Sequence, residues 1–435
     1  MTADAAQSFS APPGPRTPMA INALAFLVGR KWFGRALHRR YGDIAAVRLP
    51  AMGRAVLVSS PDLVKAVYTA KPGVLNGGES PLGALLGPGS LFSMDGDRHI
   101  KERRLLLQPF HGDRMRSYAE LIEEEALRAF AEWPDGVEFS SLPTFNSVTL
   151  RVMLRAIFGA EDQELRELEQ IIPPMTQLGQ RITMLPALGK DLGRWSIGGR
   201  YLPLRNRYDE IVASLVDQHL ADPDLDHRID ILAMMLRAIQ AEGDEVNVGH
   251  VSDELMTLLV AGHETTASSL AWAVERLRRR PDLLKRLEQE VVEGGSELRL
   301  ATINELQRVR TIIGGSERKV AKPFELGGYT LAPGTIILTN GVTMHDDERF
   351  HARALEFDPD RYLGAQPDGY AWIPFGGGVR RCIGAAFAVM EIDVVLRLLL
   401  RDFELVPTTA RGEREAFKGV AVAPGKGGRI VVRRR

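Results

Sequence analysis

The chain has 435 residues, of which 45% are hydrophobic and 26% charged, and its net charge is −1. That balance is ordinary for a globular protein and gives no argument for nucleic acid as a partner. One cysteine, Cys382, excludes an internal disulfide and a structural zinc site built on several thiolates.

The N-terminus, MTADAAQSFSAPPGPRTP, has no basic start followed by an apolar core, so it does not read as a signal peptide. Residues 1–18 are expected to form a flexible, Pro-rich tail. The apolar run Met19–Val28 is ten residues long, half of the roughly twenty that span a bilayer. A cytoplasmic protein without a membrane anchor is expected. Next come Asp43–Leu49 and Ala55–Ser60, which read as a strand pair around a glycine turn. Helical patterns dominate from Pro61 to Arg310, including Glu123–Trp133 and the long run Ser252–Arg279. Strand character returns in Glu325–Asn340, turning at Ala332-Pro333-Gly334, and a second long helix follows Cys382. Lys71–Ser90, Leu185–Gly199 and Gly364–Gly378 resist regular structure. Length alone suggests two or three domains. No composition-biased linker separates any, so residues 19–435 are expected to form one mainly helical domain with small sheets (α+β).

Cys382 sits in PFGGGVRRCIGAAFAVMEIDVV. Gly376, Gly377 and Gly378 let the backbone turn tightly and approach something flat and large. Gly384 stands where a helix starts, so first-turn amides point back at the thiol and favour its thiolate. Arg380 adds a cation two residues away. A phosphate loop needs GxxxxGK[ST], which this stretch lacks. The fragment His263-Glu264 invites a zinc-protease reading, but HExxH needs histidine at 267, where Ala267 stands.

Phe375, Gly378, Arg380, Cys382 and Gly384 match FxxGxRxCxG, and here the chain resembles the cytochromes P-450. AGHETT (Ala261–Thr266) resembles that family's central oxygen-activating helix. ELQR (Glu305–Arg308) matches its ExxR, FDPDRY (Phe357–Tyr362) its third ion-network segment, and HIKERR (His99–Arg104) its HxxxR helix. The likeness runs from about Leu27 to the C-terminus and is strongest to soluble actinobacterial members, including mycobacterial ones. It implies the P-450 fold, with haem b (iron protoporphyrin IX) between the central helix and the Cys-loop helix, and Cys382 as the axial iron ligand.

On the central helix Ala261 and Thr265 share a face, as do Gly262 and Thr266. Small residues at 261 and 262 are expected to leave room for a macrocycle and O2. A helical threonine can bond back to the carbonyl four residues earlier. The resemblance gives Thr265 and Glu264 the catalytic handling of water and protons. It makes Arg361 the third partner of a buried Glu305–Arg308 network that holds the Cys loop. It assigns His99, Arg103, Arg318 and Arg380 to the haem propionates, which need cationic or N–H donors. Many relatives carry tryptophan at the place of His99.

The expected activity is a haem-thiolate monooxygenase that inserts one oxygen atom into an apolar substrate. The alternatives are a peroxide-driven relative, against which Glu264-Thr265 argues, and a haem-binding sensor. No fused redox module is expected. Electrons are therefore expected from a ferredoxin or flavodoxin with its NAD(P)H-dependent reductase, docking on Arg98, Lys101, Arg104 and Arg381. A monomer is expected. Pocket walls are expected at Lys71–Phe92, Met175–Leu192, Leu258–Gly262, Val309–Ile313 and Gly419–Val422, with Met184, Leu185, Ile312, Ile313 and Val420 prominent. They suit a steroid, terpenoid, fatty acyl or polyketide-like ligand.

Overall fold

The structure, a computed structural model, describes residues 9–49, 52–77, 81–110, 114–159, 163–418 and 421–435. Its axis is a 30-residue helix, Val248–Leu277. Asn247 caps it by accepting a hydrogen bond from the His250 N–H, which satisfies one of the four unpaired amides of the first turn. Residues 251–259 and 266–275 are buried all round. Between them, 260–265 are half or fully exposed except for His263. A helix that is buried on every side at both ends and opens only in its middle borders an internal cleft at that point.

Helices Leu142–Phe158, Ile197–Ala221 and Ala385–Asp402 pack against this axis, and most of the large apolar side chains from Leu86 to Val432 form one connected core. Helix Arg114–Ala131 covers the predicted Glu123–Trp133 segment but stops before Trp133, which is itself buried. The main sheet has five strands in the order Ile44–Leu49, Gly53–Val58, Ile336–Thr339, Glu317–Val320, Leu75–Asn76. Gly53–Val58 and Ile336–Thr339 run parallel, and the other neighbours are antiparallel.

Two predictions about order are corrected. Lys71–Ser90 is not wholly irregular: Leu75–Asn76 pairs with the sheet edge, and Pro81–Leu86 is helical. In Glu325–Asn340 the chain does turn at Pro333-Gly334, but the hairpin closes earlier. Phe324–Leu326 pairs with Tyr329–Leu331 around Gly327 and Gly328, both in the positive-φ region that glycine tolerates. Of the expected tail, residues 1–8 lie outside the described residues. Further along, the Ser10 N–H donates to the Thr330 carbonyl and Pro13 accepts from the Ala46 N–H.

Helix Glu297–Val309 carries an ion network whose core, Glu305 and Arg308, is fully buried. Glu305 accepts from Arg308 Nη2 at 2.7 Å and Nε at 2.8 Å, and lies 3.1 Å from Arg361. The Arg308 guanidinium also donates to the carbonyls of His345, Ala354 and Glu356, and the Asp358 N–H donates to Glu305. The predicted three-residue network is present, and backbone carbonyls complete it.

Candidate haem-thiolate site

The Cys loop folds back on itself: the Cys382 N–H donates to the Phe375 carbonyl at 2.9 Å, and the Arg381 N–H to that of Gly378. Gly376 and Gly378 both have φ of 64°. The flat group that the glycines approach in this structure is Tyr68. A Cβ on Gly377 would fall 2.2 Å from its ring, and one on Gly378 2.4 Å from its carbonyl oxygen. The Tyr68 hydroxyl is hydrogen-bonded with Ser316 and Thr339, so ring and loop are fixed together.

Cys382 is accessible to solvent. Burial nevertheless pushes its thiol above the ordinary value, while the Gly384 N–H, Arg103 and Arg381 oppose the shift. Both facts hold if the sulfur lies at the base of a cleft, reachable yet surrounded by protein. The first-turn amide expected from the sequence is present, but burial outweighs it and the two arginines together.

Next to the loop the structure gathers four basic side chains. His99 is buried and its pKa is held down at about 4, first by burial and then by Arg380, Arg103 and Arg318. It is therefore neutral at pH 7, with an N–H to offer rather than a charge. Arg318 and Arg103 are also pushed below their usual value by burial. Arg318 donates to the Gly377 carbonyl at 2.9 Å and lies over the Tyr68 ring. Arg103 donates to the Arg381 carbonyl at 2.5 Å. Arg380 pairs with Asp95 at 2.5 Å and with the Met94 carbonyl, and is so close to Gly77 that a Cβ there would overlap its guanidinium. Among the described residues, Asp95 and Glu317 are the acids set against this cluster, and Asp95 is already paired with Arg380. Arg318 is buried and Arg103 half-buried, each bonded to backbone carbonyls rather than to an acid, so the cluster favours an anionic guest.

On the central helix Thr265 Oγ1 donates to the Ala261 carbonyl at 2.8 Å and Thr266 Oγ1 to that of Gly262 at 3.2 Å, as the pattern predicts. Ala261 is exposed into the opening of the helix. Gly262 has a packing reason to be small: a Cβ there would sit 2.8 Å from Met153 Sδ. Its small size serves the packing of helix Leu142–Phe158, whose Thr149 also donates to the His263 carbonyl. Glu264 is half-buried and accepts from Gln180 Nε2 at 2.5 Å. His263 is a core residue, with Nδ1 2.7 Å from the Leu259 carbonyl.

A thiol in a cleft, a helix opened beside small residues, and a basic pocket short of counter-charge form a donor set that fits an iron porphyrin bearing two carboxylates. Of the expected pocket walls, Leu91 and Leu258 are buried, Ile312 and Ile313 are partly exposed, and Met175 belongs to the core. Met184 and Leu185 are exposed at the end of helix Gln163–Met184. Gly419 and Val420 lie outside the described residues. Of the expected docking cations, Arg98, Arg104 and Arg381 are exposed. Lys101 is committed to Glu242 at 2.5 Å and Asp244 at 3.4 Å. The sequence reading missed Gln180, Tyr68, Asp95 and Met153, whose roles arise from contacts far along the chain.

A family model of the cytochromes P450 matches residues 12–430. The chain is 46% identical over 425 residues to cytochrome P450 138 of Mycobacterium tuberculosis, covering 98% of this chain and 96% of that protein. It is 35% identical over 438 residues to cytochrome P450 137 of the same species, covering 98% and 92%. In fold it is similar to the cyanobacterial CYP120A1 with retinoic acid bound, at a TM-score of 0.86 and 20% identity, covering 98% of this chain and all of that one. Among the described residues no helix is long and apolar enough to cross a membrane.

Proposed function

The chain belongs to the cytochrome P450 family of haem-thiolate monooxygenases, and from that premise we propose that Cys382 is the axial ligand of haem b. His99, Arg103, Arg318 and Arg380 hold its two carboxylates, and Phe375 and Gly384 shape the ligand loop. The observation that carries this reading is the reachable thiol beside a partly buried cluster of His99, Arg103, Arg318 and Arg380 that holds more basic groups than acids. When bound, haem with a thiolate ligand supplies O2 activation.

The remaining roles fall to side chains of the central helix. Ala261 keeps the mid-helix opening clear. Thr265 Oγ1, held on the Ala261 carbonyl, keeps its oxygen lone pairs turned to the opening and orders water there. Glu264 exchanges protons with solvent, and Gln180 fixes its direction. Such an acid–alcohol pair favours reductive turnover over a peroxide-driven route. Electrons come from a separate ferredoxin or flavodoxin with its reductase, docking on Arg98, Arg104 and Arg381. The substrate is an apolar small molecule. Reduced protein with carbon monoxide should show the strongly red-shifted Soret band of thiolate ligation, and Cys382→Ala should lose it. A histidine-type spectrum in freshly purified wild type would reject the ligand assignment.

A further inference from the structure

Glu254 lies in the central helix with no exposed surface, and neither carboxylate oxygen has a hydrogen-bond partner. The mechanism above makes no use of it. Its place is not incidental. Glu254, Leu258, Ala261 and Thr265 are spaced four, three and four apart, so they share one helix face. At 1.5 Å rise per residue, Glu254 is about 10 Å along the helix from Ala261. It therefore stands at the N-terminal end of the stripe that opens beside the candidate haem site.

The groups around it do not neutralise it. Burial comes first in pushing its pKa up to about 9, followed by the charge of Glu102. Glu102 belongs to helix Gly96–Leu107, which also carries His99 and Arg103. Its other neighbour is His250, one turn before Glu254, with Nε2 3.0 Å from Glu102 Oε1. Asp253 adds a second like charge, although that carboxylate is committed to Arg205 and to the Gly89 N–H. Arg98, from the His99 helix, and the Leu91 N–H act in the opposite sense without completing a hydrogen bond. At neutral pH the group is a carboxylic acid beside the ionisable Glu102.

Losing that proton sets two carboxylates against each other beside the His250–Glu102 bond that links the two helices. The central helix is locked by buried residues along most of its length. Helix Gly96–Leu107 buries only His99 and Leu106, so it is the one that yields. We propose that Glu254 is a positioning residue that keeps the His99 helix against the central helix only while protonated, and so sets how tightly the basic pocket of His99, Arg103, Arg318 and Arg380 closes. The pocket's role in holding haem carboxylates rests on the function proposed above; the helix contact does not.

The test uses the haem-loaded protein. Hydrogen exchange of the Gly96–Leu107 amides, corrected for base catalysis, is compared from about pH 6 to pH 10 in wild type, Glu254→Gln and Glu102→Gln. Haem transfer to excess apomyoglobin is timed over the same range. In wild type, both helix opening and haem transfer should accelerate, approaching tenfold per pH unit up to about pH 9 and flattening above it, as one titrating proton requires. Glu254→Gln, neutral at every pH, should abolish that dependence. Glu102→Gln should weaken it by removing the facing charge, and decides the matter if Glu254→Gln does not fold. An unchanged pH profile in the glutamine variants overturns the proposal. Altered exchange without altered haem transfer keeps the helix latch and removes its link to the pocket. Wild type that binds no haem with a thiolate spectrum defeats the pocket reading, while the exchange data still decide the latch.

Discussion

Glu305 and Glu254 are both fully buried glutamates in helices, yet the protein treats them in opposite ways. Around Glu305 it places two arginines and a backbone N–H, and around Arg308 three further carbonyls. Around Glu254 it places two acids and leaves both oxygens without a hydrogen bond. A buried charge survives only when paired and hydrogen-bonded; otherwise the group gives up its charge. One site is thus a fixed anchor between helix Glu297–Val309 and the 345–361 segment, and the other stays neutral until pH forces it to ionise.

Breaking the anchor should have the largest effect. Arg308→Ala leaves the buried Glu305 carboxylate with only Arg361 and the Asp358 N–H, and takes the donor from three interior carbonyls. Removing one partner of such a pair costs about 3–5 kcal/mol. Thermal melting and haem content should both collapse. Normal values for both would mean that solvent screens the network, contrary to the full burial of its core.

The second effect belongs to Glu254 and depends on pH. Its folded pKa, about 9, stands above the usual 4.5, so the folded state holds a proton that the unfolded chain gives up. Wild-type stability, measured against Glu254→Gln, is therefore greatest below about pH 4.5. It falls by about 1.4 kcal/mol per pH unit up to about pH 9, where the loss ends. Denaturant unfolding of both proteins across that range reads the difference directly. Glu391, in the Cys-loop helix, is also buried and pushed up to about 8, so the variant should lose only part of the wild-type slope. Parallel curves for the two proteins would show that Glu254 titrates as an ordinary exposed acid.

The same contrast explains what could be read from the sequence. The anchor's core is local: Glu305 and Arg308 are three residues apart, and the Cys loop with its helix start is a continuous stretch, so both were legible. The Thr265 back-bond to Ala261 was legible for the same reason. Glu254 looks like any polar residue in a long helical run; its character comes first from burial by the surrounding chain and then from Glu102, 152 positions earlier. The packing of Met153 against Gly262 was hidden because Met153 belongs to another helix. The approach of the Cys loop to Tyr68 was likewise hidden by some three hundred residues of intervening chain.

Glu264 falls between the two extremes, and its test is the finest. It is half-buried and carries one hydrogen bond, from Gln180, 84 positions earlier in helix Gln163–Met184. A single amide fixes the direction of the carboxylate without neutralising it, so the acid can still take up and release a proton. Gln180→Leu removes the donor while keeping much of the volume. Because the acid can then turn to solvent, stability should fall by only about 0.5–1.5 kcal/mol. Proton handling should suffer more than folding does. With a ligand that shifts the Soret band, the share of NAD(P)H electrons ending as hydrogen peroxide should rise in Gln180→Leu. It should rise further in Thr265→Ala, which loses the hydroxyl itself. Glu264→Gln should mainly slow turnover, since an amide cannot exchange protons as a carboxylate does. Gln180→Asn tests reach: its shorter amide should leave Glu264 unheld and behave like Gln180→Leu. If the asparagine variant matches wild type while the leucine variant does not, polarity at this position matters and the observed bond does not.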